Sequence, residues 1–362
     1  MDILSDVLRV VRLSGAVFFT AEFSSPWALD SPNPELIASF VLPDAECLVL
    51  FHILTEGECY ILCKSHPPVK MEAGDVIIFP HGESHTMCSD PGIKSTPIAA
   101  VFSQRSPDAT PQVAFGGGGR KASFVCGYLN CDQRFNPLAN ALPAMMVVRS
   151  CNDYASVDAI DHNGARPALV PEGSGTWLST TLKFTINQAR TALPGNAAML
   201  SRLTELMFIE IVRQYMQQLP AGQRGWLAGL NDVSVGKALR LMHANPAHSW
   251  TVAELAHAAA SSRSALADRF TELIGESPMR YLAGWRMQLA KQMLRDGGCS
   301  IAEIAARVGY ESEAAFNRAF KRGAGSPPAA WRKRAAGVLA SAAALLFSVE
   351  PLTSLAMAAF SS

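Results

Sequence analysis

The chain has 362 residues, of which 49% are hydrophobic and 17% are charged. This composition is typical of a globular protein with enough chain for two domains, and it excludes a mostly disordered protein. The formal net charge of zero hides an uneven distribution. Residues 1–232 carry 16 Lys and Arg against 22 Asp and Glu, whereas residues 233–334 carry 15 against 8, a net charge of +7. The basic segment favours a polyanionic partner.

The N-terminal segment Met1–Leu13 mixes Asp and Arg with apolar residues instead of placing a basic start before an apolar run. It does not resemble a secretion signal, so we expect a cytoplasmic protein. The eight cysteines form no C-x-x-C pair. In a cytoplasmic chain of this length, most of them are expected to be small buried side chains.

Residues 1–190 are predicted to be mostly β. Short apolar runs separated by Gly, Pro, Ser and Asp suggest a sandwich or a barrel. The runs are Cys47–Leu54, Cys59–Cys63 and Val76–Pro80. Ser106–Arg120 and Asn163–Gly175 are expected to be surface loops. No Lys-Ser or Lys-Thr follows Gly116–Gly119, so we expect a flexible connection there and not a phosphate loop.

The pattern becomes helical over Ala197–Leu219, and Pro220 ends the run. One face of this helix is apolar, with Leu200, Leu203, Met207, Ile211 and Tyr215. That face could pack on its own β domain or on a second subunit, and the sequence leaves both open. A connection over 221–231 is predicted to lead into a helix at Val235–His243.

The last hundred residues repeat one pattern of two short helices. In the second copy, one buried stripe is predicted, followed by a turn at Gly309 and a second stripe. These residues are Ile301, Ile304, Ala305 and Val308, then Phe316, Ala319 and Phe320. The first copy has Val252, Leu255, Ala256 and Ala259 at an offset of 49, and Leu266 and Phe270 at an offset of 50. Such a helix-turn-helix places its second helix in a DNA major groove.

A helix over Pro278–Arg295 is predicted to separate the two copies by about 27 Å at roughly 1.5 Å per residue. This is close to one turn of B-DNA, about 34 Å, so one chain could enter two successive major grooves. After the second copy, residues 335–362 contain no Lys or Arg. The apolar run Val338–Val349 is shorter than the roughly 20 residues of a membrane span. A docked helix is favoured over an anchor, and an unselected extension stays open.

Several stretches of the basic segment resemble the AraC/XylS family of bacterial transcription regulators. They are Thr251–Phe270, Gly275–Pro278, Tyr281–Arg295, Val308–Ser312, Phe316–Arg322 and Pro327. The N-terminal part is similar to the cupin-type sensor domain of one branch of that family, at Leu4–Leu8, Gly74-Asp75 and Pro80–Gly82.

The resemblance implies a two-domain protein: an N-terminal, mostly-β cupin-like barrel followed by a helix, then an all-α domain with two helix-turn-helix motifs. Residues 1–190 would sense a ligand, 191–232 would form a helical linker that could dimerise, and 233–334 would bind DNA, leaving 335–362 as an apolar tail. The implied function is sequence-specific regulation of transcription under a small-molecule or redox signal. Implied partners are double-stranded promoter DNA, an effector, a second subunit and RNA polymerase, with no membrane and no cofactor.

The predicted recognition helices are Arg263–Leu273 and Ser312–Lys321, whose apolar stripes must face the core. The residues left for DNA are Arg263, Ser264, Ala267, Asp268 and Arg269 in the first, and Glu313, Ala314, Asn317, Arg318, Lys321 and Arg322 in the second. Arg318 could donate to guanine O6 and N7 and Asn317 could serve adenine, with a phosphate contact as the alternative. Lys321 and Arg322, with Arg332, Lys333 and Arg334, are expected near phosphates.

Asp268 is the exception in the first helix, because phosphate repels a carboxylate. It could accept a hydrogen bond from cytosine N4, orient the neighbouring Arg269, or weaken the first half-site.

The segment Gly74–His85 fits the second cupin motif, whose last histidine is one of four metal ligands in cupin enzymes. In the first motif, ending at Gly57, the other three ligand positions hold Pro43, Ala45 and Leu50. One ligand in four does not make a site that selects a divalent metal. We therefore expect a regulator without metal rather than the alternative, a metal-dependent cupin enzyme fused to a DNA-binding module.

Two further possibilities concern the same domain. His52, His81 and His85 could converge as part of a ligand pocket in the apolar barrel. A redox sensor could instead use Cys59 with Cys63 or Cys126 with Cys131, which would require low thiol pKa values and close sulfur atoms.

Overall fold

The computed structural model describes residues 2–11, 14–31, 48–64, 66–102, 112–130, 137–151, 154–161, 164–166, 174–189, 194–219 and 223–334. They divide into two compact units. The helical unit contains residues 2–11, 137–141, 219 and 223–334, and the β unit contains the other described residues. Pro43, Ala45, Cys47, Cys131, Pro220 and the tail 335–362 lie outside the described residues, as do residues 106–111 of the first predicted loop and 163 and 167–173 of the second.

The described strands of the β unit form two sheets. They are β1 Ser14–Ser24, β2 Ala28–Asp30, β3 Leu48–Glu56, β4 Glu58–Cys63, β5 His66–Glu72, β6 Val76–Phe79, β7 Thr86–Cys88, β8 Thr96–Pro97, β9 Gln112–Gly116, β10 Lys121–Asn130, β11 Met145–Cys151, β12 Tyr154–Asp161 and β13 Gly164–Arg166. The eight-stranded sheet has the order β13-β12-β11-β6-β3-β10-β1-β9, and the five-stranded sheet β5-β4-β7-β2-β8. The mostly-β prediction is confirmed, but β9 and β13 form inside stretches predicted as loops.

The described helices are α1 Ile3–Val11, α2 Ile98–Phe102, α3 Pro137–Asn140, α4 Ser174–Ala189, α5 Asn196–Gln217, α6 Trp226–Asn231, α7 Val233–Ala244, α8 Val252–Ala258, α9 Arg263–Ile274, α10 Pro278–Asp296, α11 Ile301–Arg307 and α12 Glu313–Ala324. None of these is long and apolar enough to cross a membrane.

The central strands of the larger sheet are buried on both faces. Because side chains alternate along a strand, Leu50 and Leu54 of β3 lie in the core of the β unit, while Phe51 and Ile53 point to the opposite face. That core also contains an aromatic cluster, in which the ring centroid of Trp27 lies 4.7 Å from that of Phe23 and 5.7 Å from that of Phe124.

Helices α4 and α5 cover the outer face of this sheet. Leu200, Met207, Ile211 and Tyr215 of the predicted stripe are buried, and Leu203 is half-buried. α5 packs on β1 and on α4. The apolar stripe of α5 therefore packs on the β unit of its own chain. Of the two packings that the sequence left open, own β domain or second subunit, the structure has the first.

The helical unit begins with α1, although the sequence placed these residues in the sensor segment. The apolar face of α1, with Ile3, Leu4, Val7 and Val10, is buried, and the helix contacts α7 and α10. A short amphipathic helix must bury this face on a neighbour, and the sequence alone does not identify that neighbour.

Helix α6 occupies much of the stretch predicted as a connection. Trp226 and Leu227 are buried, and α6 packs on α7 and α9. The indole Nε1 of Trp226 donates a hydrogen bond of 2.8 Å to the hydroxyl of Tyr281. The Tyr281 oxygen lies 2.8 Å from Nε2 of His243. The compact unit therefore starts before residue 233, while the boundaries of the functional domains stay predictions.

The duplicated pattern is repeated in three dimensions, down to its helix caps. Thr251 and Ser300, 49 residues apart, each begin a helix with a capping box, closed by Glu254 and Glu303. Ser262 and Ser312, 50 residues apart, cap α9 and α12, which end at the left-handed Gly275 and Gly325. Between the copies, α10 has 19 residues, a length of about 28 Å.

Each turn between the two helices of a motif contains a residue with positive φ. It is Gly309 (φ 81°) in the second motif but Ala260 (φ 51°) in the first. Alanine in this region clashes through its Cβ, so the first motif carries backbone strain that the second avoids.

Candidate DNA interface and sensor site

Helices α9 and α12 each bury one apolar stripe and expose the opposite face. Leu266 and Phe270 in α9, and Phe316 and Phe320 in α12, are fully buried. Most of the predicted DNA-facing residues are exposed: Arg263, Ser264 and Asp268 in α9, and Glu313, Ala314, Arg318, Lys321 and Arg322 in α12. Ala267 and Asn317 are half-buried.

Equivalent positions of the two helices carry opposite charges. With Ser262 and Ser312 aligned as N-caps, Arg263 corresponds to Glu313 and Asp268 corresponds to Arg318. All four of these charged side chains are exposed. The two faces therefore differ in the base edges and phosphates they could attract.

Arg269 is half-buried, and two carboxylates hold its side chain. Its Nε donates to Asp232 Oδ2 at 3.0 Å and its Nη1 donates to Glu272 Oε2 at 3.0 Å. Asp232 is also the N-cap of α7, accepting from the backbone N–H groups of Ser234 and Val235. Burial raises the pKa of Asp232, but these hydrogen bonds outweigh it, so that the pKa is lowered. Arg269 thus fastens α9 to α7, and its partners are Asp232 and Glu272 rather than Asp268.

Two of the three basic residues that close the described chain also have partners within the protein. Arg332 Nη2 donates to the carbonyl of Cys299 at 2.7 Å, and Arg334 hydrogen-bonds Ser326. Arg318, Lys321 and Arg322, in contrast, form no ion pair with any residue that the structure describes. These three cations of α12 are exposed and available to an outside partner.

In the β unit, His52 and His85 converge in the packed core. Their Nε2 atoms lie 2.9 Å apart, and His52 Nδ1 lies 2.9 Å from the sulfur of Cys126. His85 Nδ1 lies 2.8 Å from the carbonyl oxygen of Glu83, and the ring of Phe79 stacks on His85 with centroids 3.9 Å apart. We call this set of residues the histidine relay.

One arrangement of protons satisfies every contact of the relay. Because the carbonyl of Glu83 can only accept, His85 Nδ1 must donate, so His85 Nε2 accepts from His52 Nε2–H. His52 Nδ1 then accepts from the thiol of Cys126. Burial lowers the pKa of His85 to about 4 and lowers the pKa of His52 well below its usual value, so both rings are neutral.

The relay leaves no ring lone pair for a metal, since each unprotonated nitrogen accepts a hydrogen bond. Among the described residues, no group of three or more His, Cys, Asp and Glu could hold a metal ion. His81 does not join the pair: it is exposed, and its Nε2 lies 3.2 Å from the carbonyl oxygen of Leu142. Sequence reasoning missed Cys126, whose contact with His52 spans 74 residues of chain.

Four of the described cysteines, Cys59, Cys63, Cys88 and Cys126, are free thiols with raised pKa values. Burial raises the pKa of Cys63 to about 11 and that of Cys88 to about 11, and it raises the pKa values of Cys59 and Cys126 further. At neutral pH they are protonated, which makes them poor nucleophiles toward oxidants. This weighs against the redox-sensor alternative.

Two protein-family models match the chain. The cupin model covers residues 2–162 and 166–217, and the helix-turn-helix domain model covers residues 255–334. The larger match places the β unit, together with α1, in the cupin family. The smaller match contains both candidate recognition helices.

Curated relatives match over nearly their whole length. An AraC-like transcription regulator of Streptomyces antibioticus is 32% identical over 336 residues, which is 92% of this chain and 99% of that protein. AlkR of Acinetobacter baylyi is 27% identical, covering 92% of this chain and all of that protein. RclR of Escherichia coli, an RCS-specific transcriptional activator, is 25% identical, covering 92% of this chain and 98% of that protein. All three carry names of regulators and none that of an enzyme. The chain therefore belongs to the AraC-like family of DNA-binding transcriptional regulators, with an N-terminal cupin domain and a C-terminal helix-turn-helix domain.

Proposed function

We propose that the chain binds a bipartite DNA site with both helix-turn-helix motifs, as a homodimer, under the control of a small effector bound by the β unit. The observation that carries the DNA part is the duplicated motif. Each copy exposes one polar face of a 12-residue helix, and a single 19-residue helix joins the copies.

In this proposal Arg318 reads a guanine and Asn317 an adenine, while Lys321 and Arg322 contact phosphates. Arg263, Ser264, Ala267 and Asp268 face the other groove. Arg269 contributes indirectly by positioning α9, because its guanidinium is held by Asp232 and Glu272.

The dimer part rests on apolar side chains that α4 and α5 leave exposed. Trp177 and Phe184 of α4 are 44% and 43% exposed, and Met199 and Leu206 of α5 are 36% and 52% exposed. Each pair is seven residues apart, the spacing of one helix face. Large exposed apolar side chains in a stripe mark surfaces for association. Leu206→Glu should therefore convert the dimer into a monomer in light scattering, whereas Lys237→Glu, at an exposed site on α7 of the helical unit, should leave the dimer intact.

The effector part is supported by a small apolar cavity beneath the same two helices. It has a volume of about 20 Å³ and lies between the outer sheet face and α4 and α5. Its walls include Phe51, Ile78, Leu182 and Met207, with Thr204 as a polar group. An apolar ligand that enlarged this cavity would move the helices that carry the exposed stripe, which links sensing to assembly. The protonated thiols make a small molecule the better candidate signal than an oxidant.

The test is selection of DNA from a randomised library by the full-length protein in about 100 mM salt, followed by sequencing. For each chain of the dimer, we expect two half-sites whose centres are about 10 base pairs apart. A single half-site, or no enrichment by a protein that is folded by circular dichroism, would contradict the proposal. Since regulators of transcription act where the chromosome is, we place the protein in the cytoplasm. Contact with RNA polymerase would be expected only if it activates transcription.

A further inference from the structure

The loop between α7 and α8 presents three successive carbonyl groups, those of Pro246, Ala247 and His248. The loop is braced from within: Trp250 Nε1 donates to the carbonyl of Asn245 at 3.0 Å, and the ring of Trp250 packs edge-on against that of His248 with centroids 4.3 Å apart. The loop belongs to the first half of the helical unit, because it leads directly into the first helix-turn-helix motif.

Arg286 of α10 binds two of these carbonyl groups. Its Nε donates to the oxygen of Pro246 at 2.7 Å and its Nη2 donates to the oxygen of His248 at 2.8 Å. The side chain is half-buried. Charge-assisted hydrogen bonds of this length are about twice as strong as neutral ones, and the planar fork of arginine fixes their direction.

The third carbonyl, that of Ala247, lies against the turn of the second motif. A Cβ built on Gly309 would lie 2.6 Å from the Ala247 oxygen and 2.9 Å from Nη2 of Arg286. Only a bare backbone fits at this distance. The loop before the first motif, the middle of α10 and the turn of the second motif therefore meet at one point.

Arg286 lies near the middle of α10, the helix that joins the two helix-turn-helix motifs. On the N-terminal side of α10, the ring of Tyr281 packs on Phe270 of the first motif with centroids 5.8 Å apart, and Trp285 stacks on His243 of α7 with centroids 4.1 Å apart. On the C-terminal side, Ala290 and Leu294 lie in the core of the second motif. Arg286 lies between the two cores, and it is on neither candidate recognition helix.

We propose that Arg286 is a positioning residue that holds the two helix-turn-helix motifs in one mutual geometry and so sets the spacing of DNA half-sites that the chain prefers. Without it, the carbonyl group of Pro246 loses its side-chain donor, that of His248 keeps only the backbone N–H of Trp250, and the first motif can move relative to the second. The proposal rests on the proposed binding of both motifs to one site.

The test measures the affinity of the full-length protein for the selected bipartite site and for versions with one base pair added or removed between the half-sites. For the wild type, we expect each change of spacing to weaken binding by about tenfold, the equivalent of losing one good base contact. For Arg286→Met, we expect this penalty to shrink to about threefold or less, while affinity for an isolated half-site is unchanged. Arg286→Lys, which keeps the charge but not the planar fork, should give an intermediate penalty.

Arg280→Met is the matched control, because it removes the same charge from the same helix. The Arg280 side chain is 82% exposed and pairs only loosely with Glu276, at 3.4 Å. Its spacing profile should equal that of the wild type. If Arg286→Met does not fold by circular dichroism, Arg286→Lys carries the test, and a wild-type profile for it would overturn the proposal. An unchanged profile in Arg286→Met, or an equal loss on every site including the half-site, would do the same. A selected site with only one half-site would instead refute the proposed two-motif binding, and this inference with it.

Discussion

Replacing Trp226 by Phe should loosen the packing of α6 and α7 without altering the exposed face of either candidate recognition helix. Trp226 is buried, and its Nε1 donates to Tyr281 at 2.8 Å. Losing that hydrogen bond costs about 1 kcal/mol, and the partly filled space left by the smaller ring costs about 1 kcal/mol more. Their sum, about 2 kcal/mol, corresponds to a roughly 30-fold rise in the population of locally opened molecules.

Hydrogen exchange followed by mass spectrometry on the full-length protein can measure this effect locally. Exchange in peptides covering α6 and α7 should become about 30-fold faster, whereas peptides from β3 and β4 should be unchanged. Val233→Ala is the control, because Val233 is 86% exposed and its loss should alter exchange by less than about twofold. A rise of less than about threefold in the α6 peptide of Trp226→Phe would show that α6 is not part of the cooperative unit.

Five substitutions and one titration test other parts of the molecule. Arg318→Ala should cost about 1 to 3 kcal/mol on the selected site and relax preference at one base position, whereas Lys321→Ala should weaken all sites alike and reduce the salt slope by about one unit; identical base preferences for Arg318→Ala and the wild type would reduce Arg318 to a phosphate contact. Ala260→Gly should raise the free energy of unfolding by about 1 kcal/mol by relieving positive φ, and Gly309→Ala should lower it by 2 kcal/mol or more, in urea titrations; opposite signs would disprove the assigned strain. Burial lowers the pKa of His243 to about 3 from its usual value of 6.5, so the unfolded chain takes up the proton first and stability falls as the pH drops below about 6.5. At pH 5 the loss from this group is about 2 kcal/mol, and a His243→Gln variant with an equally steep pH dependence would contradict it.

The DNA-binding half was predictable from the sequence because its signals are local. Capping residues such as Thr251 and Ser300, and the stripes ending at Phe270 and Phe320, lie within one helix or at its start. Helix α6 was missed because six residues between Gly225 and Asp232 are too few to show a helical period.

Contacts between distant residues could not be predicted in the same way. Arg269 has the sequence position of a DNA contact, and only the packing of α9 on α7 brings it to Asp232, 37 residues away. The relay between His52 and Cys126 depends on the register of β3 with β10, in which these two residues are direct neighbours. His81 differs from His85 by four residues, yet the turn at Gly82 directs the two side chains to different surroundings.

The exchanged charges of α9 and α12 have a consequence for where on a promoter the protein can act. The first position of α9 is Arg263, and the equivalent position of α12 is Glu313. Likewise, Asp268 of α9 corresponds to Arg318 of α12. A chain with two unlike recognition helices cannot bind a site and the inverted site equally well. Each bound chain therefore has one preferred orientation on the DNA. Inverting the selected site within an otherwise unchanged promoter would exchange the grooves that α9 and α12 enter relative to the gene, and a gene regulated in one orientation should lose that regulation in the other.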